Sequence, residues 1–325
     1  MKPALLIETY RSELVEKQHF GFILAIDREE NVVFRAGDDY NRNFWLRSAA
    51  KPLQASLIID SGAFEKFDFS LQELAVCSAS HTGTDLHTNT VKGLLNKLGL
   101  EEKHLKCGVH EPLDKKAKCS AVEFSQLHNN CSGKHAGMLA VCKANNWDIN
   151  NYLDFEHPYQ QRLTTRISEL CNFDQSKISV GRDGCEAPVH SLPHIKMGTG
   201  FLNLFLDSKY EKIKQAFQKY PFFIGGNERL DSEIIRATSG KLISKVAAEG
   251  LCITVNLEQK QALIVKILDA DMKARAIAVS ETLHRLNWIS KEEYINLCQI
   301  SLFNKEITTH TNKHAGNIKF YDDRY

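Results

Sequence analysis

Ser48 and Lys51 stand three residues apart in Arg47-Ser48-Ala49-Ala50-Lys51-Pro52. On a helix that spacing puts a hydroxyl and an amine on one face. A neutral lysine there can take the serine proton and turn a weak nucleophile into a useful one, with no histidine and no nucleotide. The tetrapeptide alone also reads as a capped helix start with a solvated lysine. Its neighbours favour chemistry. Ala49 and Ala50 let another segment approach, and the run Leu53-Gln54-Ala55-Ser56-Leu57-Ile58-Ile59 is apolar enough to bury the helix. Burial disfavours a charged amine, which is the condition a general base needs.

Four further segments carry reactive side chains. Ser80 lies in Cys77-Ser78-Ala79-Ser80-His81-Thr82-Gly83-Thr84-Asp85, a hydroxyl-rich stretch after a predicted helix, and could relay a proton. His81 and His87 are six apart, a poor spacing for one helical metal site, and read as structural or substrate-facing. His128-Asn129-Asn130-Cys131-Ser132-Gly133-Lys134-His135 leads straight into an apolar helix, whose free N–H groups would attract a carboxylate. It lacks P-loop spacing. Cys131 there reads as a nucleophile, a metal ligand or only a buried thiol, while Cys185, in the glycine-bounded turn Gly181-Arg182-Asp183-Gly184-Cys185-Glu186, reads as exposed enough to bind something. Two such thiolates would favour a soft or borderline metal such as zinc. Lys245, in Ser244-Lys245-Val246-Ala247-Ala248-Glu249-Gly250, would point into a cleft or guard a strand edge.

These residues need elements to hold them. Residues 21–27 and 32–36 read as a β-hairpin, and 241–247, 251–257 and 262–268 as a three-stranded meander. Helices are predicted over 49–61, with Ser48 near its N-cap and Pro52 in its first turn, and over 70–77, 87–98, 133–145, 158–171, 209–219, 228–238 and 272–287. Residues 173–200, rich in Gly and Pro, read as mostly irregular. The tail from about residue 304 reads as loosely packed. Strands, then helices, then strands, then a helix is not the alternation of a doubly wound sheet. It points to a single α+β domain over 1–325, an antiparallel sheet flanked by helices.

Bulk properties narrow the function. The 325 residues are 43% hydrophobic and 25% charged, with a formal net charge of +1, so nothing global attracts nucleic acid or anionic lipid. No apolar run is long enough to span a membrane. Nine cysteines, an odd number with no CxxC pair, and no recognisable signal peptide imply reduced thiols in a cytoplasm.

Taken together the segments resemble the thermolabile, Rhizobium-type L-asparaginases. RSAAKPLQ at 47–54, CSASHTGTDLH at 77–87, HNNCSGKHAGML at 128–139, GRDGCEAPV at 181–189, NERLDSE at 227–233 and SKVAAEG at 244–250 follow that family's order. The resemblance implies a serine β-lactamase and glutaminase type of fold, a homodimer, and hydrolysis of the side-chain amide of L-asparagine through an acyl-enzyme. It implies that Ser48 and Lys51 form one dyad. Ser80 is then the second serine, partnered by Lys245 where penicillin-recognising enzymes carry Lys-Thr-Gly. Cys131, Lys134 and Cys185 match a zinc site in which a neutral lysine nitrogen joins two thiolates, with Asp183 and His135 close to the metal. Arg47, His81, His135 and Asp183 are expected to face the substrate. Ala247 stands where the family usually has glycine, and Glu186 where a small residue is usual; both bear on substrate preference. Glutamine is a competing substrate, and the other readings are a β-lactam hydrolase or peptidase and a non-catalytic amino-acid-binding protein.

Overall fold

The computed structural model describes residues 2–38 and 41–321. Its main sheet has eight strands: β1 (Ala4–Arg11), β2 (Leu14–Ile26), β3 (Val32–Ala36), β7 (Leu242–Val246), β8 (Leu251–Asn256), β9 (Gln261–Ile267), β10 (Glu306–Thr308) and β11 (His314–Phe320). The order is β10-β11-β1-β2-β9-β8-β7, with β3 pairing β2 beyond the end of β1. Every pairing is antiparallel. A small sheet, β4 (Asn43–Trp45), β6 (Pro188–Pro193) and β5 (Ser179–Arg182), stands apart in the order β4-β6-β5.

The main helices are α1 (Lys51–Asp60), α2 (Leu71–Cys77), α3 (Asp85–Lys97), α4 (Ser132–Ala144), α5 (Pro158–Cys171), α6 (His194–Leu206), α7 (Glu211–Lys219), α8 (Leu230–Ala237), α9 (Met272–Arg285) and α10 (Lys291–Cys298). They cover both faces of the sheet. Leu24, Ile26, Ile253 and Ile264 enter a large core with α1, α2, α4, α5 and α6, while Ile23, Ala25, Leu263 and Val265 enter a second core with α9. Successive strand residues point to opposite faces. With both faces buried, the end of β2 from residue 21 and most of β9 read as nearly continuous apolar runs rather than as alternations. The α+β arrangement expected from the order of elements is the one observed.

Three expectations are corrected. The tail is not loose: β11 pairs with β1 from Ile7↔Phe320 to Arg11↔Gly316, and Phe303 and Ile318 are buried. Its polar composition belongs to a half-covered strand near the sheet edge. Residues 322–325 lie outside the described chain. The stretch 173–200 holds β5, β6 and the start of α6 rather than irregular chain. A Cβ on Gly198 would come within 2.8 Å of Ile264 and 2.9 Å of Ile26, so this glycine serves close helix–sheet packing. Finally, Ser48 caps nothing. Arg47–Ala50 is a 3₁₀ turn running directly into α1, whose N-cap position is Ala50.

Gly133 fixes the distance between two parts of the molecule. A Cβ there would lie 2.2 Å from the Val76 carbonyl oxygen. Only glycine lets the first turn of α4 press against the end of α2, and the chain leaving α2 carries Ser80. Gly133→Ala should therefore cost about 1–3 kcal/mol through overpacking. Thermal unfolding should show a fall of several degrees; an unchanged midpoint would contradict the close approach.

Candidate active site

The 3₁₀ turn follows β4, and the Leu46 N–H donates to the His190 carbonyl of β6 at 2.9 Å. Arg47 has φ of 46°, the left-handed region that non-glycine residues rarely occupy. Its side chain accounts for the tolerance. Nε donates to Asp183 Oδ1 at 2.8 Å and Nη1 to Glu249 Oε1 at 3.3 Å. Arg47 thus ties the Ser48 turn to the β5–β6 connection and to the β7–β8 turn. This is an architectural bond, and it also engages Asp183.

Lys51, 1% exposed, does not turn to Ser48. Its Nζ donates to Ser80 Oγ at 3.1 Å and to the Asn130 carbonyl at 3.1 Å. A buried amine must find partners, and these acceptors meet that need. Lys245, wholly buried on β7, reaches the same hydroxyl at 3.0 Å and also donates to the Val246 carbonyl at 2.8 Å. Ser80 therefore lies between two lysine nitrogens. Its own N–H is bound to the Ile224 carbonyl at 2.9 Å, so it cannot serve an oxyanion. Ser48 remains half-buried, with no side-chain hydrogen bond among the described residues.

Asp231 is the charge partner that sequence reasoning missed. It is completely buried in the first turn of α8, with Oδ2 3.4 Å from Lys245 Nζ and 3.2 Å from the Val246 N–H, and Oδ1 taking the Ser232 N–H at 3.1 Å. Burial alone would raise its carboxyl, but Lys245, Arg229 and these N–H donors outweigh that and hold it below the ordinary value. Burial lowers Lys245 to about 8, Asp231 opposes the fall, and Lys51 adds to it. The clue was faint: Asp231 lies in NERLDSE, fourteen residues before its partner.

Two cavities meet here. One, of ≈ 320 Å³, is lined by Ser48, Ser80, Asn130, Arg229, Ala248 and Arg275 among others. The second, of ≈ 280 Å³, is lined by Arg47, His110, Cys131, Asp183 and Cys185 among others. Ser48, Asn130 and Ala248 line both, so Ser48 sits at the boundary. Ala247, one departure from the resembled pattern, lines the first cavity; the other, Glu186, points outward near Arg182.

His81 and His135 do not line either cavity, contrary to expectation. His81 is completely buried; it accepts from the Gly83 N–H at 3.2 Å, and its Nε2 lies 2.9 Å from Ser132 Oγ. His135 is equally buried, with Nδ1 2.8 Å from the Tyr152 hydroxyl. Burial holds both well below the usual imidazole value, so they are neutral.

Cys131, Lys134 and Cys185 do converge, and all are buried. Lys134 Nζ donates to Cys185 Sγ at 2.8 Å. The thiols share one charge. The Cys185 hydrogen bond, with Lys51 and Lys134 nearby, holds Cys131 as thiolate, while the same bond and burial keep Cys185 protonated. Burial opposes the Lys134 ammonium, but the two sulfurs outweigh it and keep the amine charged. Among the described residues no three His, Cys, Asp or Glu side chains cluster to hold a metal. Two soft sulfurs that line the second cavity, with the Lys134 nitrogen beside Cys185, nevertheless form a donor set suited to zinc.

No curated protein matches this chain. Among solved structures it is similar to a β-lactamase from Mycobacterium bovis, with 15% identity, a TM-score of 0.45, and coverage of 83% of this chain and 95% of that one. The profile of L-asparaginase II matches residues 7–320, which include every site residue described above. The chain belongs to the L-asparaginase II family.

Proposed function

We propose that this protein is an L-asparaginase of the thermolabile, Rhizobium type, hydrolysing the side-chain amide of L-asparagine to L-aspartate and ammonia. The observation that carries the reading is the Ser80 hydroxyl held between two buried lysine amines, beside an uncommitted Ser48 at the junction of two cavities. Ser48 is the nucleophile because it is half-exposed and free, whereas Ser80 is 4% exposed and engaged twice.

Ser48 Oγ attacks the amide carbon, and its proton passes to Lys51. Hydrogen bonds missing in a free enzyme commonly form only with substrate in place. The Lys51–Ser80–Lys245 chain then delivers a proton to the leaving nitrogen as the C–N bond breaks. Ammonia departs and an ester remains on Ser48. Water cleaves the ester, aspartate leaves, and the serine regains its proton. The Ser48 N–H is the first candidate donor to the oxyanion.

Zinc belongs to the same proposal, with Cys131, Lys134 and Cys185 as its ligands. Bound there, with its charge balanced by the two thiolates, it would offer an open coordination position that orients polar groups of the substrate. Loading must displace protons from Lys134 and a thiol, so occupancy should fall at low pH. The homodimer and the cytoplasmic location implied by the resemblance are also proposed; nine free thiols fit a reducing compartment. No helix among the described residues is long and apolar enough to cross a membrane.

Coupled assay of ammonia should show turnover of L-asparagine, and of glutamine about 10–200-fold more slowly, the range one methylene commands. Ser48→Ala should lose about 10³-fold or more. Cys131→Ala should lose bound zinc, read by metal analysis, yet retain more activity than Ser48→Ala. The reverse order would reject the serine mechanism.

The Lys51–Ser80–Lys245 chain can take up the Ser48 proton only when Lys245 starts neutral, so kcat/KM should rise with pH and level off above about 8. Asp231 supports the Lys245 ammonium, so Asp231→Asn should move the rise to lower pH as well as weaken the protein. A shift to higher pH would contradict the pairing.

A further inference from the structure

The cavity shared by Ser48 and Ser80 has two arginines in its wall, Arg229 and Arg275. Arg229 stands at the N-cap position of α8. Among the described residues its guanidinium makes no hydrogen bond and no ion pair, and its buried Nε has no partner. Arg275, 6% exposed on α9, spends Nη1 on the Ala247 carbonyl at 2.7 Å and the Leu251 carbonyl at 3.2 Å, and its buried Nε is likewise unpartnered.

Buried donors without acceptors are costly, the more so when charged. The carboxylates nearby are already engaged. Asp231 serves Lys245 and two backbone N–H groups. Glu249, also in the wall, holds Arg47 and projects into solvent with 65% of its side chain exposed. The cavity is therefore polarised, with two serine hydroxyls in one part of its lining and unsatisfied guanidinium donors in another. A guanidinium fork matches a carboxylate geometrically and binds it through charge-assisted hydrogen bonds.

We propose that Arg229 is the anchor for the α-carboxylate of the substrate, with the Arg275 Nε reinforcing the positive field. Resting on the amidohydrolase reading above, this makes the enzyme selective for amides that carry a carboxylate. Simple amides lacking it leave Arg229 unpaired and are rejected. Arg47, the other arginine of the site, does not compete for the role because Asp183 and Glu249 occupy it.

Two measurements test this. The first compares kcat/KM for L-asparagine with that for 3-aminopropanamide, the same molecule without its carboxylate, in wild type, Arg229→Lys and Arg229→Met. Wild type should favour asparagine by about 100-fold or more, the order that charge-assisted hydrogen bonds provide. Arg229→Met should cut that preference at least tenfold, chiefly by raising KM for asparagine, and Arg229→Lys should restore part of it. An undiminished preference in Arg229→Met, or equal losses on both substrates, would overturn the assignment. The second is calorimetric titration with L-aspartate, which needs no turnover. Binding at least tenfold weaker in Arg229→Met supports the anchor; equal affinity, or no binding to wild type, overturns it. If wild type releases no ammonia from asparagine, the proposed reaction fails while the titration still decides the role of Arg229.

Discussion

Two lysine amines buried against one serine hydroxyl set the terms for the rest of this molecule. Charge is expensive in a dry interior, and two like charges close together are more so. Lys51 and Lys245 are tolerated because each has further partners: the Asn130 carbonyl for one, the Val246 carbonyl and Asp231 for the other. The arrangement leaves Lys245 with an unusually labile proton. It also fills both acceptor positions of the Ser80 oxygen, whereas Ser48 has no side-chain hydrogen bond among the described residues and lines both cavities.

That constraint explains the architecture around it. Lys51 comes from the start of α1, Ser80 from the chain after α2, Asn130 from the turn before α4, Asp231 from α8 and Lys245 from β7. Only a fold that packs helices against the end of a rigid sheet brings five such distant segments together. Gly133 lets α4 touch the end of α2. Arg47, held in a left-handed conformation, joins the Ser48 turn to both the β5–β6 connection and the β7–β8 turn. The proposed metal ligands sit on these same segments, one cavity away from Ser80 but sharing Ser48 as a boundary.

Much of this was legible in the sequence because it is local. The meander β7–β9, the helix carrying Lys51 and the helix beginning at Ser132 all announce themselves through apolar spacing and turn residues. The convergence of Ser80 with Lys51 and Lys245, and of Lys134 with Cys185, was inferred from a family pattern and is present in space. What failed was non-local or depended on side-chain direction. β1 pairs with a strand about three hundred residues away, a contact no window reveals. Lys51 and Ser48 have helical spacing, yet burial turns the amine toward better acceptors. Two histidines beside reactive residues proved to be neutral packing groups. Asp231 and Arg229 matter through what they do or do not touch, and neither is distinguished by sequence spacing.

The site of acylation tests the central claim most directly. Enzyme mixed with L-asparagine, quenched in acid during turnover and digested, can be mapped by mass spectrometry for a peptide bearing an aspartyl ester. With Ser80 engaged by both lysines and Ser48 free, the adduct belongs on the peptide containing Ser48. An adduct on the peptide containing Ser80 would contradict the division of roles derived from the two buried lysines.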